Sequence, residues 1–159
     1  VVVTTSSSGL YGNFGQTNYG SAKMGVIGMM NTLAQEGAKN NVKINALAPT
    51  AGTRMTEGLI PEKAFDLMTP ETVTPAVLYL VSQDAPTRTI LAAGAGGYAV
   101  AKIVETDGIY LDDADQTPEA IAENWDAIAN SEPKQLQAGF EQTAKFLSKA
   151  AQAKGISLE

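Results

Sequence analysis

Residues 1–49 read VVVTTSSSGLYGNFGQTNYGSAKMGVIGMMNTLAQEGAKNNVKINALAP. Val1 to Thr5 is a β-branched run, apolar on both faces up to the serine-rich turn at Ser6 to Gly9, which is the pattern of a buried strand. Gly12, Asn13, Gly15 and Asn18 then supply loop residues. From about Thr17 the apolar period changes: Met24, Ile27, Met30 or Asn31, and Ala34 recur at spacings of three and four, the signature of one buried helical face. Lys39-Asn40-Asn41 suits a helix end, where a cation meets the dipole and Asn tolerates a left-handed backbone. Val42 to Ala48 is the next strand, and Pro49 is expected to end it because proline donates nothing to a central ladder. Strand, long helix, strand is a parallel pair joined by a right-handed crossover.

Working outward, Thr50 to Thr69 reads as a long loop with one or two short helices, long enough to act as a lid. Thr74 is expected to cap a helix with Pro75 at its first position, running through Val77, Leu78, Leu80 and Val81. Thr89 to Ala93 is a third strand, followed by Gly94-Ala95-Gly96-Gly97. Strands alternating with helices give an α/β fold with a parallel sheet, although three strands make only half of one. Beyond Gly97 the composition changes. Ala99 to Tyr110 is strand-like or irregular, and Asp112, Asp113 and Asp115 form an acidic turn. Thr117-Pro118-Glu119 starts a helix with Ile121, Trp125 and Ile128 on one face, and a second helix after Pro133 places Leu136, Phe140 and Leu147 in register.

With 159 residues, 44% hydrophobic and 18% charged, the chain has enough apolar material for a core. Its 11 Lys and Arg are scattered and the formal charge is −6, so neither nucleic acid nor an anionic membrane is an expected partner. There is no cysteine and no histidine. Thiolate metal sites, the Ser-His-Asp triad and the commonest general base are thereby excluded, no metal is expected, and acid/base work falls to Tyr, Lys, Asp or Glu. The absence of cysteine is mildly in favour of a reducing compartment, and a cytoplasmic location is the expectation. The chain opens inside an apparent strand, with neither Met nor a basic segment ahead of an apolar stretch, which leads to the expectation of a portion of a longer fold.

The sharpest chemical feature is Tyr19-Gly20-Ser21-Ala22-Lys23. Residues four apart share a helix face, so the Lys23 ammonium is brought near the Tyr19 phenol, and a neighbouring cation favours the phenolate. Ser6 stands thirteen residues before Tyr19, at a strand end that faces the ligand crevice in an open α/β sheet, where a hydroxyl could hold a substrate carbonyl. Tyr-x-x-x-Lys alone arises by chance in many helices. What makes it specific is the ordered series of strand, serine-rich turn, glycine-rich loop, Asn18-Tyr19, Lys23, second strand and Asn45-x-x-x-Pro49.

That series resembles the short-chain dehydrogenase/reductase family, over residues 1–98. The resemblance implies the C-terminal half of a Rossmann-like doubly wound parallel sheet at 1–98, with an appended C-terminal helical extension at 99–159. It implies that Ser6 polarises the carbonyl or alcohol, that Tyr19 exchanges the proton, and that Lys23 favours the phenolate and binds the nicotinamide ribose. Pro49, Ala51 and Thr53 are implied to border the nicotinamide. Ser7 and Ser8 compete for the Ser6 role, and the spacing to Tyr19 favours Ser6. Two positions depart from the pattern: Thr50 stands where the family has Gly after the proline, and Thr53-Arg54-Met55 lies one residue closer to Pro49 than the usual Thr-x-Met.

The departures, with Ser6 to Gln16, Ala48 to Thr56, Gly94 to Tyr98 and the tail from Thr117 through Trp125, are similar to a narrower branch. This is the (3R)-hydroxyacyl-CoA dehydrogenase region of peroxisomal multifunctional enzyme type 2, also called D-bifunctional protein, with its bacterial stand-alone relatives. The branch implies oxidation of a (3R)-hydroxyacyl thioester with NAD, NADP being the alternative cofactor, and a homodimer or homotetramer. A 3-oxoacyl-carrier-protein reductase is the neighbouring reading, and a non-catalytic dehydrogenase-like scaffold is the reading of another class.

Gly94-x-Gly96-x-x-Ala99 formally fits a dinucleotide fingerprint after a strand. Val100 to Thr106 reads as a strand, however, and not as the helix whose N-terminus would bind pyrophosphate, so a tight turn is expected. The aspartates at 112, 113 and 115 lack the Gly and terminal Glu of a calcium loop, and a solvated turn before a capped helix is expected. Trp125, Ile121 and Ile128 are expected to pack. Without the phosphate-binding half of the fold, the isolated 159 residues are expected to be inactive and poorly soluble or in need of a partner, since Val1 to Thr5 leaves an apolar edge.

Overall fold

In the computed structural model, which describes residues 1–53 and 61–158, the opening β-branched run forms β1 (Val2–Thr4). It is followed by α1 (Ser7–Tyr11), α2 (Thr17–Ala38), β2 (Asn45–Thr50), α3 (Glu62–Phe65), a 3-10 turn at Pro70–Thr72, α4 (Thr74–Val81), β3 (Ile90–Gly94) and β4 (Gly97–Ala101). The sheet order is β1-β2-β3-β4; the first three strands are parallel and β4 returns antiparallel to β3. The first four residues of β2 are buried without alternation, as befits a central parallel strand covered on both faces.

Those two faces define the core. On one, Ile27, Met30 and Ala34 of α2 meet Ile44, Ala46 and Ile90. On the other, Ala76 and Leu80 of α4, with Val73, meet Leu47 and Ala93. Consecutive strand residues point to opposite faces, so Ala46 and Leu47 serve different helices. The chain steps from β1 to β2 to β3 in one direction while its helices lie on opposite faces. The two crossovers therefore have opposite hands, which corrects the uniform right-handed expectation. The long segment after Thr50 gives the chain the reach to cross to the open face.

Pro49 does not end its strand: it lies inside β2, opposite Ala93. The ladder explains this. The N–H of Asn45 points to Val1 O and that of Ala46 to Thr89 O, so odd positions address β1 and even positions β3. By Pro49 β1 has ended, and no ladder donor is needed on that side. Thr74 is likewise not a cap. Val73 precedes the helix without a side-chain bond, because the chain enters α4 from the 3-10 turn. Asn41 takes the left-handed backbone expected at the end of α2, with φ 54°. At the far end, Gly94 pairs with Gly97 across Ala95 and Gly96, which have φ 50° and 76°. This two-residue hairpin leads into β4, and the 98/99 boundary drawn from the sequence falls within that strand.

Val1–Ala101 forms one compact unit and Lys102–Glu159 a second. The second contains β5 (Glu105–Thr106), a 3-10 turn at Asp113–Asp115, α5 (Pro118–Glu123), α6 (Trp125–Ala129), β6 (Pro133–Lys134) and α7 (Gly139–Lys154), with β5 and β6 antiparallel. Thr117 caps α5 by accepting the Ala120 N–H at 3.1 Å. The expected apolar packing is only partly observed here: Ile128 and Leu136 are half-buried, whereas Trp125 is 59% and Phe140 75% exposed, and Ile121 and Leu147 are exposed too. Ala151 of α7 is buried, and polar contacts add to the apolar ones. Lys145 pairs with Glu105 at 2.5 Å, Lys149 with Asp107 at 2.6 Å, and Lys154 with Asp113 at 2.8 Å.

Candidate active site

The site begins where β1 runs out. Thr5 still joins the ladder, its N–H donating to Leu47 O at 2.8 Å, and Ser6 then turns the chain into α1. Ser6 is extended and caps that helix, its Oγ accepting the Ser8 N–H at 3.2 Å. A hydroxyl used in this way still has its own proton to donate. Of the competing serines, Ser8 is buried with its Oγ accepting from Asn13 Nδ2 at 2.9 Å, and Ser7 is exposed in the first turn. The Ser8–Asn13 bond ties down the loop that carries the chain to α2.

Tyr19 lies in the first turn of α2, with its N–H bonded to Asn18 Oδ1 at 2.8 Å. Lys23 follows one turn later, and its ammonium stands 5.7 Å from the centre of the Tyr19 ring. The same ammonium donates to Thr4 O at 3.1 Å. Phenol, cation and strand end are thus brought together, as the four-residue spacing requires.

Two glycines allow α1 and α2 to meet at backbone distance. A Cβ on Gly9 would lie 2.8 Å from Lys23 Cβ and 2.9 Å from its carbonyl carbon, and one on Gly20 would lie 3.0 Å from Ser8 O. The buried Thr5 adds a bond from its Oγ1 to Lys23 O at 2.8 Å. The sequence reading did not include Thr5, Gly9 or Gly20 in the site. The signal available was the placement of glycines at the facing positions of two helices.

The remaining candidates leave the same edge of the sheet, because β1 and β2 are parallel neighbours with Thr4 opposite Leu47. Pro49 and Thr50 end β2, and Ala51 packs beside the α4 cluster. Gly94 is tightly fitted against this end, since a Cβ there would lie 2.5 Å from Thr50 O. Gly52 donates to Met68 O at 2.5 Å, and Thr53 is exposed. Arg54, Met55 and Thr56 lie outside the described residues.

The family model for short chain dehydrogenase matches residues 1–64. Peroxisomal multifunctional enzyme type 2 of Mus musculus is 39% identical over 164 residues, covering 99% of this chain and 22% of that protein. A putative short-chain type dehydrogenase/reductase of Mycobacterium tuberculosis is 43% identical over 141 residues, covering 88% of the chain and 49% of the relative. The structure of full-length peroxisomal multifunctional enzyme type 2 from Drosophila melanogaster superposes with a TM-score of 0.79 at 36% identity, over 92% of this chain and 27% of that one. The chain belongs to the short-chain dehydrogenase family. Short-chain dehydrogenases generally use NAD or NADP, act on small molecules and are usually oligomeric. The chain spans less than half the length of these relatives.

Proposed function

We propose that this chain carries the proton-transfer apparatus of an NAD(P)-dependent oxidoreductase that interconverts a (3R)-hydroxyacyl-CoA and its 3-ketoacyl form, with NAD as the first choice of cofactor. The observation that carries this reading is the Lys23 ammonium 5.7 Å from the Tyr19 ring, beside the end of β1 where Ser6 caps α1. The narrower substrate class rests on likeness to the multifunctional enzymes.

The residues fit the nicotinamide end of such a cofactor. The Lys23 ammonium has three N–H groups and donates one to Thr4 O, which leaves donors for ribose hydroxyls. The Gly94 to Gly97 turn leads into a strand and so offers no helix N-terminus to a pyrophosphate. When bound, NAD supplies the hydride acceptor. In the oxidative direction Ser6 would hold the substrate oxygen through a hydrogen bond and keep its own proton, while the Tyr19 oxygen would take up the single alcohol proton as the hydride leaves for the cofactor. Lys23 holds its charge beside the phenol throughout. Pro49, Ala51 and Thr53 would border the nicotinamide.

A homodimer or homotetramer is part of the same reading. Met24, Met29 and Leu33 of α2 are exposed, and Gly25 and Gly28 have open space before them, a surface suited to a second copy. A cytoplasmic location also belongs to it, the peroxisomal names of several relatives setting the alternative that a fluorescent fusion separates.

The test is a nicotinamide absorbance assay of the complete protein with (3R)- and (3S)-hydroxyacyl-CoA and the matching carrier-protein thioesters. Turnover of the (3R)-CoA substrate is expected. Preference for the carrier-protein thioester would instead make the protein a 3-oxoacyl-carrier-protein reductase. Nicotinamide binding without turnover of any thioester would mark a scaffold.

A further inference from the structure

We propose that Thr5 is a positioning residue for the proton relay, holding α2 by the carbonyl of the very residue whose ammonium must stand beside Tyr19. The inference rests on the reading of Tyr19 and Lys23 as the proton-transfer pair.

Thr5 is 1% exposed, and its Oγ1 donates to Lys23 O at 2.8 Å. A carbonyl in a helix interior already accepts a ladder N–H, so this bond uses its second lone pair and adds nothing to the helix itself. What it fixes is the height and rotation of α2 against the end of β1. Lys23 is then gripped at both ends by adjacent residues: its carbonyl by the Thr5 hydroxyl, its ammonium by Thr4 O at 3.1 Å. Gly9 closes the third side, leaving no room for α2 to approach further. Removing the hydroxyl opens this ring at its buried point. The ammonium then loses its fixed distance from the phenol, although Thr5 touches neither substrate nor cofactor.

The test uses the complete protein with Thr5→Val, which keeps the shape and removes the donor, and Thr5→Ser, which keeps the donor. For Thr5→Val, kcat is expected to fall about tenfold to a hundredfold, as for a small misplacement of catalytic groups, with KM for the acyl thioester unchanged. Thr5→Ser is expected to restore kcat. A second readout needs no turnover: the Lys23 Cε–Hε resonance in heteronuclear NMR, shifted by the Tyr19 ring 5.7 Å from the ammonium, is expected to keep its position in Thr5→Ser and to move toward that of a free lysine in Thr5→Val. If Thr5→Val does not fold, Thr5→Ala is compared in its place. A folded variant with lowered Tm but wild-type kcat and an unmoved Lys23 resonance would reduce Thr5 to a structural hydroxyl and overturn the proposal. A wild-type protein without dehydrogenase turnover would sink the functional reading alone, since the resonance still decides the role of Thr5.

Discussion

Gly9 of α1 and Lys23 of α2 are packed so closely that a methyl group on the glycine would stand 2.8 Å from the lysine Cβ. Real Cβ atoms do not approach so near, and the neighbouring atoms are largely backbone, which cannot swing aside. Gly9→Ala is therefore expected to force the two helices apart, at a cost of about 1–3 kcal/mol for overpacking. It should lower Tm and turnover together, measured by thermal melting and by the nicotinamide assay. An unchanged melting curve would show that the helices do not meet as described.

Asn45 is fully buried and bridges two strands of chain, donating Nδ2 to Pro86 O at 2.7 Å and accepting the Thr89 N–H on Oδ1 at 3.0 Å. Asn45→Ala leaves a half-buried carbonyl and a half-buried N–H without this partner. The loss is expected to be about 1–3 kcal/mol, read as a shift in the denaturant midpoint at constant slope. An effect within error of zero would mean that water replaces both bonds.

The second unit carries its own pH dependence. Hydrogen bonds from Lys145 and, for Asp107, from Lys149 hold the carboxyls of Glu105 and Asp107 below their ordinary values of 4.5 and 3.8. Gln142 also donates to Glu105. A carboxyl lowered by folding stabilises the fold above its unfolded value, and that stability is lost as pH falls through the folded one. Lys154 is raised above 10.5 by its bond to Asp113, so its contribution is complete below that value and is lost as pH rises through the folded one. Amide protection across α7 is expected to be flat through neutral pH, to weaken in acid below about pH 4.5, and to weaken again in strong alkali. Protection unchanged under both extremes would show that the three lysines do not hold α7.

Lys149→Met tests the same ladder at one rung. It removes the nearer partner of Asp107, Lys134 at 3.9 Å remaining, and the donor to Gly108 O at 3.2 Å, while keeping the aliphatic stem. The melting of this unit is expected to become less sensitive to added salt than that of the unchanged chain, because one screened pair is gone. Equal salt sensitivity would remove Asp107 and Lys149 from the account.

Much of the first unit was legible because periodicity reports burial. Ile27, Met30 and Ala34 repeat every three or four residues and do form the buried face of α2, whereas Met24, expected on the same face, is exposed; the four-residue step does set Lys23 beside Tyr19. The hairpin at Gly94 to Gly97 could be read because the residues after it have strand, not helix, character. Three features were hidden. Pro49 could sit inside β2 only because β1 stops short of it, which is a property of the neighbouring strand. The opposite hands of the crossovers depend on which face α4 covers, and an apolar stripe looks the same on either. The contacts of Thr5, Gly9 and Gly20 are tertiary and leave no period. In the second unit, apolar spacing suggested a packed face that only Ile128 and Leu136 partly form, and it gave no sign of the bonds from Lys145, Lys149 and Lys154, whose partners lie far away in sequence.

The proton role of Tyr19 is tested most directly by Tyr19→Phe in the complete protein, which removes one oxygen and keeps the ring beneath the Lys23 ammonium. With a (3R)-hydroxyacyl-CoA and NAD, kcat is expected to fall by about a hundredfold or more while the protein still folds and binds the nucleotide. Turnover equal to that of the wild type would contradict the account at its centre.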